Sequence, residues 1–270
     1  MHNEIITIGP FTVYGYGLMI AIGILAAYLL AEHLAPKRGV EKDHVFGLVI
    51  CALIFGFIGA KILYILTKLS DLGTEGFTLA SLADGWVIYG GILGGIVGIF
   101  VASVIYKDRF ADYLDIAVPA VALAQGFGRI GCFLAGCCYG IEYDGIFSVT
   151  FHTSAYAPND VALFPTQLLS SGLDFLHFIL LYLLFRKVRR RGIVVGTYLT
   201  CYSIGRFAVE YLRGDLERGT IGGVSTSQFI AFFVCLAGVM VLFYSCRKGS
   251  LIVLTPEEDA PDDPERTENL

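Results

Sequence analysis

Apolar runs long enough to enter a lipid bilayer recur seven times in this chain, at about 12–33, 45–67, 86–106, 112–136, 166–186, 193–213 and 228–246. A transmembrane helix needs roughly 20 mainly apolar residues. Backbone polar groups within a bilayer must be satisfied inside the segment, so such runs fold as helices. The expectation is an all-α integral membrane protein, a seven-helix transmembrane bundle with a small outer head segment. Composition agrees: 56% of residues are hydrophobic, 16% are charged and the mean hydropathy is +0.69. Soluble domains carry about 25% charged residues. The fourth run holds Pro119, Arg129 and several glycines and is expected to be broken or partly re-entrant. The first lacks a basic leader and an A-x-A site, so it reads as a span rather than a cleaved signal.

Lys and Arg set the orientation. With the N-terminus outside, the inner loops hold Lys37, Arg38, Lys42, Lys107, Arg109, Arg186, Lys187, Arg189, Arg190, Arg191, Arg247 and Lys248. The outer loops hold only Lys68, Arg213 and Arg218. The cluster at 186–191 reads as a topology signal, and nothing points to nucleic acid. Residues 1–250 form the transmembrane unit. The tail 251–270, with TPEEDAPDDPERTENL, is acidic, too polar to pack and expected to be disordered on the cytoplasmic side.

Within the third run Gly90, Gly94 and Gly98 share one helical face and allow close helix packing. Residues 139–165, with GIFSVTFHT, are expected to form a small hairpin-containing head; residues 70–85 form a possible surface arm. Lys61, Asp115, Arg129, Asp174, His177, Arg206 and Glu210 are the ionisable groups in or near the spans. Such groups are expensive in a membrane and mark partners or substrates. Asp174 and His177 share a face and are expected to pair with each other or with Lys61. Arg206 and Glu210 stand one helical turn apart, either as a mutual ion pair or with Glu210 orienting Arg206 towards a phosphate. Arg129 and Arg206 together point to a buried anion, and the anion a bilayer offers is a lipid phosphate. Four of the seven cysteines are scattered; Cys132, Cys137 and Cys138 are clustered. That cluster reads as small-residue packing, a reactive thiol, a disulfide or, least favoured, a metal site, because no second C-x-x-C exists and His152 is the nearby imidazole.

Several stretches resemble one family. GRIGCFLAGCCYG is similar to the signature segment of the prolipoprotein diacylglyceryl transferases. VYGYGLMIAIGILAAYL, YGGILGG, PTQL at 165–168 and GRFAVEYLRGD at 205–215 resemble other segments of that family, in the same order. The resemblance covers about residues 8–246. It implies a bacterial cytoplasmic-membrane enzyme with phosphatidylglycerol and the lipobox cysteine of prolipoprotein signal peptides as substrates, no cofactor and no metal. The implied catalytic residues are Arg129, Arg206 and Tyr89; the implied substrate-binding residues are Arg129, Gly90, Gly91, Cys132, Gly136, Cys137, Gly140 and Glu210. The chain departs from the family at four positions: Tyr89 replaces a histidine, Cys132 an asparagine, Cys137 a glutamate and Ser170 a glutamate.

The implied reaction joins the lipobox thiol to glycerol C3 of the lipid, and glycerol phosphate leaves. Arginines stabilise the departing phosphate. The thiol must also lose its proton, and a tyrosine, with an ordinary pKa of about 10, is a poor base. Two alternatives stand beside this reading: a related lipid transferase that uses the cysteine cluster, and a non-enzymatic lipid binder or transporter.

Overall fold

The computed structural model describes residues 4–8, 11–68, 85–215, 220–221 and 224–251. The expected arm at 70–85 and the tail from 252 onward lie almost entirely outside the described residues. Among the described residues there are seven long helices: α1 (Gly15–Leu34), α2 (Lys42–Lys68), α3 (Ile88–Tyr106), α4 (Phe110–Ala135), α5 (Thr166–Lys187), α6 (Ile193–Glu210) and α7 (Thr226–Lys248). Six are long and apolar enough to cross a membrane. The exception is α6, whose 18 residues include Arg206 and Glu210.

The helices pack in neighbouring pairs, α2 on α3, α1 on α4, α6 on α7 and α4 on α5, with α5 also against α6. Large apolar side chains such as Leu25, Phe57, Leu93, Leu176 and Phe232 remain exposed on the outside, where lipid is the natural solvent. The α2–α3 seam depends on its glycines. A Cβ on Gly94 would lie 2.1 Å from the Phe55 carbonyl oxygen, and one on Gly90 2.3 Å from that of Gly59. Only a missing side chain permits backbones to approach this closely.

Three details differ from the sequence expectations. Residues Phe11–Tyr14 form strand β2, paired antiparallel with β1 (Glu4–Ile8), rather than the first turn of α1. Alternating aromatic and β-branched residues favour extension there. Helix α4 runs unbroken through Pro119. Helix α6 stops at Glu210, because the next residues leave it to pair with the segment after α4. The head contains the expected hairpin, β3 (Val149–Thr150) against β4 (Ala162–Leu163). A further hairpin, β5 (Thr220–Ile221) with β6 (Val224–Ser225), precedes α7. There Ser225 and Gln228 form a reciprocal capping box.

The end of the bundle away from the head is locked by buried charges. Arg38 is 3% exposed, lies 3.5 Å from Asp115 and rests on the face of Phe185. Asp115 also accepts hydrogen bonds from Gly192 N at 3.0 Å and Val195 N at 3.3 Å, at the start of α6. Beside it Arg191 donates to Asp112 at 2.6 Å. This network ties the α1–α2 turn, α4 and the α5–α6 turn together.

Candidate active site

At the opposite end, α4, α5 and α6 enclose a cavity of about 270 Å³. Arg129 from α4, Arg206 from α6 and Arg213 just beyond α6 all line it, with Gln167, Ser170, Asp174 and His177 from α5, Tyr202 from α6 and Cys138. The two arginine motifs meet because their backbones pair. Gly140 and Arg213 form an antiparallel bridge, Ile141 N donates to Leu212 O at 3.0 Å, and Gly214 N donates to Tyr139 O at 3.1 Å. Gly140 is required at this crossing, since a Cβ would lie 2.3 Å from the Phe164 carbonyl oxygen.

Each arginine has an acidic neighbour. Arg129 Nε lies 3.8 Å from Asp174 Oδ2, too far for a hydrogen bond. Arg206 Nη1 lies 2.5 Å from Glu210 Oε2, although that oxygen makes no well-aligned hydrogen bond, and Nη2 donates to Ser227 Oγ at 2.9 Å. Arg213 holds Asp215 in a bidentate pair at 2.8 and 2.6 Å. A bidentate partner satisfies a guanidinium. Arg213 is thus anchored, while Arg129 presents its nitrogens to the cavity without a protein hydrogen bond among the described residues.

The expected grouping of Asp174, His177 and Lys61 is not what forms. Asp174 faces Arg129, and His177 stacks on Tyr198 with ring centres 5.3 Å apart. Lys61 donates to Gly85 O and lies over Tyr64 and Trp86. Desolvation and charge pairing separate these groups onto different seams. His177 Nε2 is buried without a hydrogen-bond partner.

The candidate residues do not all gather here. Tyr89, Gly90 and Gly91 lie on α3, outside the cavity lining, and Gly90 packs on α2. Gly136 ends α4 with φ of +74° and lines a separate cavity of about 320 Å³ beside the head. Cys132, Cys137 and Cys138 converge, with Sγ atoms all within 4.8 Å, and none is in a disulfide. Hydrogen bonding to Cys132 and Cys138, reinforced by burial, pushes the Cys137 thiol up. Cys137 is therefore not a standing thiolate at neutral pH. Sequence reasoning missed Gln167, Tyr202 and Arg213 as cavity residues. PTQL and GRFAVEYLRGD contained Gln167 and Arg213, but nothing local announced that both chains turn into one pocket.

Fold and cavity define a polytopic membrane protein that concentrates guanidinium groups in a single pocket near one end of its helices. Comparison narrows this. Residues 3–244 match the family model for prolipoprotein diacylglyceryl transferase. The phosphatidylglycerol–prolipoprotein diacylglyceryl transferase of Clostridium tetani is 44% identical over 229 residues, spanning 85% of this chain and 92% of that protein. Transferase 2 of Clostridium perfringens is 41% identical over 238 residues, 88% of this chain and 93% of its own. The Staphylococcus haemolyticus transferase is 32% identical, spanning 88% of this chain and 86% of that protein. The chain belongs to the prolipoprotein diacylglyceryl transferase family.

Proposed function

We propose that this chain transfers a diacylglyceryl group from phosphatidylglycerol to the lipobox cysteine of prolipoproteins, forming a thioether and releasing glycerol phosphate. The observation that carries the reading is the meeting of Arg129, Arg206 and Arg213 in one cavity. Arg129 and Arg206 hold the lipid phosphate, and positive charge fixed before reaction stabilises the leaving glycerol phosphate without reorganisation. Glu210 and Ser227 orient Arg206; Asp215 anchors Arg213, which fixes the segment next to Cys138. Tyr89 contributes a hydroxyl at the lipid-facing edge, and Gly136 and Gly140 shape the turn that carries the cysteines.

The protein resides in the bacterial cytoplasmic membrane with its N-terminus and head outside. The excess of Lys and Arg at the α1–α2, α3–α4 and α5–α6 turns and after α7 supports this. Residues 1–250 act as one transmembrane unit, and 251–270 extend into the cytoplasm.

The test is reconstitution. Purified protein in vesicles containing phosphatidylglycerol should add the mass of a diacylglyceryl group to a cysteine-bearing prolipoprotein peptide. Vesicles with only zwitterionic lipid should add none. Equal modification in both, or none in either from folded protein, contradicts the proposal.

A further inference from the structure

Tyr89 lies outside the arginine cavity, so the acceptor thiol needs another route to its thiolate. The three cysteines next to that cavity offer one. Cys132 sits in the last turn of α4, and Cys137 and Cys138 in the turn beyond. Gly136, at φ of +74°, ends the helix, and Cys137 N donates back to Cys132 O at 3.1 Å. Cys138 itself holds φ of +59°, a conformation costly for any residue with a side chain. Two α5 side chains secure this turn: Thr166 Oγ1 donates to Cys138 O and Gln167 Nε2 to Cys137 O, each at 2.9 Å. The result is three thiols within 4.8 Å of one another on a braced turn.

Three sulfur donors at this separation suit a soft metal ion. Zn–S bonds of about 2.3 Å in tetrahedral geometry put sulfurs roughly 3.8 Å apart, within reach of small side-chain rotations. Three protein ligands leave one position open, as at catalytic zinc centres. Cys138 lines the arginine cavity, so that side of the cluster faces the proposed lipid phosphate site. Arg213 lines the same cavity as Cys138, and positive charge beside the cluster offsets the excess negative charge of a three-thiolate centre.

We propose that Cys132, Cys137 and Cys138 bind a zinc-type ion whose open position takes the acceptor cysteine as a thiolate. The proposal rests on the transferase reading and supplies what that reading lacks, a way to activate the thiol. A metal-bound thiol is deprotonated outright. The displaced proton passes to solvent on the outer face. A sulfur lone pair then forms the bond to glycerol C3 of the lipid. The C3–oxygen bond breaks, its electrons stay on the phosphate oxygen, and glycerol phosphate departs from Arg129 and Arg206. The thioether, neutral and a weaker ligand, leaves the ion.

The experiment uses full-length protein purified in detergent without chelator. Metal analysis of the wild type should find stoichiometric zinc, lost in Cys132→Ser and in Cys138→Ser. Replacing zinc by cobalt should give a thiolate-to-metal charge-transfer band. A signal peptide bearing its acceptor cysteine should raise that band by about a third, as three sulfurs become four. The same peptide with serine should leave it unchanged. Reduced wild type that takes up neither zinc nor cobalt overturns the proposal; so does a cobalt band that the cysteine peptide does not move. A disulfide within the cluster of protein taken directly from membranes also overturns it. This readout needs no turnover. The transferase reading fails separately, when zinc-loaded protein in phosphatidylglycerol vesicles adds no diacylglyceryl mass.

Discussion

Gly140 and Arg213 face each other across an antiparallel bridge that joins the segment after α4 to the segment after α6. This crossing converts two arginine motifs, some 80 residues apart in the chain, into one cavity. Gly140→Ala tests it. The added methyl would meet the carbonyl oxygens of Phe164 and Leu212, which cannot yield without parting the two segments. Overpacking of this kind costs about 1–3 kcal/mol. Displacing a reactive group by an ångström costs about 10²-fold in rate. The expected outcome is folded, inserted protein with lipidation reduced by about that factor, measured by reporter mass. Gly128→Ala is the control, since a Cβ there meets nothing within 4 Å.

Glu210 and Ser227 hold Arg206 from two sides. Ser227→Ala removes one hydrogen bond to a charged group, worth about 1.5–3 kcal/mol. Part of that loss should appear as a higher KM for phosphatidylglycerol with kcat largely kept. Arg206→Ala should instead lower kcat by about 10²–10³. Steady-state kinetics in mixed micelles distinguishes the two.

Tyr89 stands outside the cavity lining. Tyr89→Phe keeps the ring and deletes the hydroxyl, and should change the lipidation rate by less than about tenfold, the worth of one ordinary hydrogen bond. A loss of about 10³ or more would return Tyr89 to the chemistry.

The buried network at the far end bears on stability rather than activity. Asp115→Ala leaves Arg38 buried beside Phe185 without its counter-charge. Removing one partner of a buried pair costs about 3–5 kcal/mol. Asp115→Ala with Arg38→Met should recover much of that loss. Thermal unfolding in detergent, arranged as a double-mutant cycle, reads the coupling.

Legibility followed the range of the forces involved. Helices α1 to α5 and α7 could be read because roughly 20 apolar residues in sequence need no tertiary information to become a membrane helix. Gly90 and Gly94 announced their seam by spacing, since a helix repeats its own face. The pairing of Arg129 with Asp174 was not visible, because the sequence offered Asp174 a nearer companion in His177, one turn along α5. Across-helix packing decided otherwise, turning His177 onto Tyr198 and Asp174 to Arg129. The early end of α6 was also hidden. Tyr211, Leu212 and Arg213 are good continuing residues, and the partner that draws them away lies beyond α4. Cys132, Cys137 and Cys138 were visible as a cluster in sequence, but their convergence depends on the left-handed turn at Gly136 and Cys138.

The most direct measurement is complementation read by mass. The chain is expressed in cells depleted of their own transferase, and a reporter prolipoprotein is weighed. The account predicts a diacylglyceryl increment with the wild type and its absence with Arg129→Ala, both proteins being present in the membrane at equal amounts. An unmodified reporter with the wild type, or an increment that survives Arg129→Ala, would contradict it.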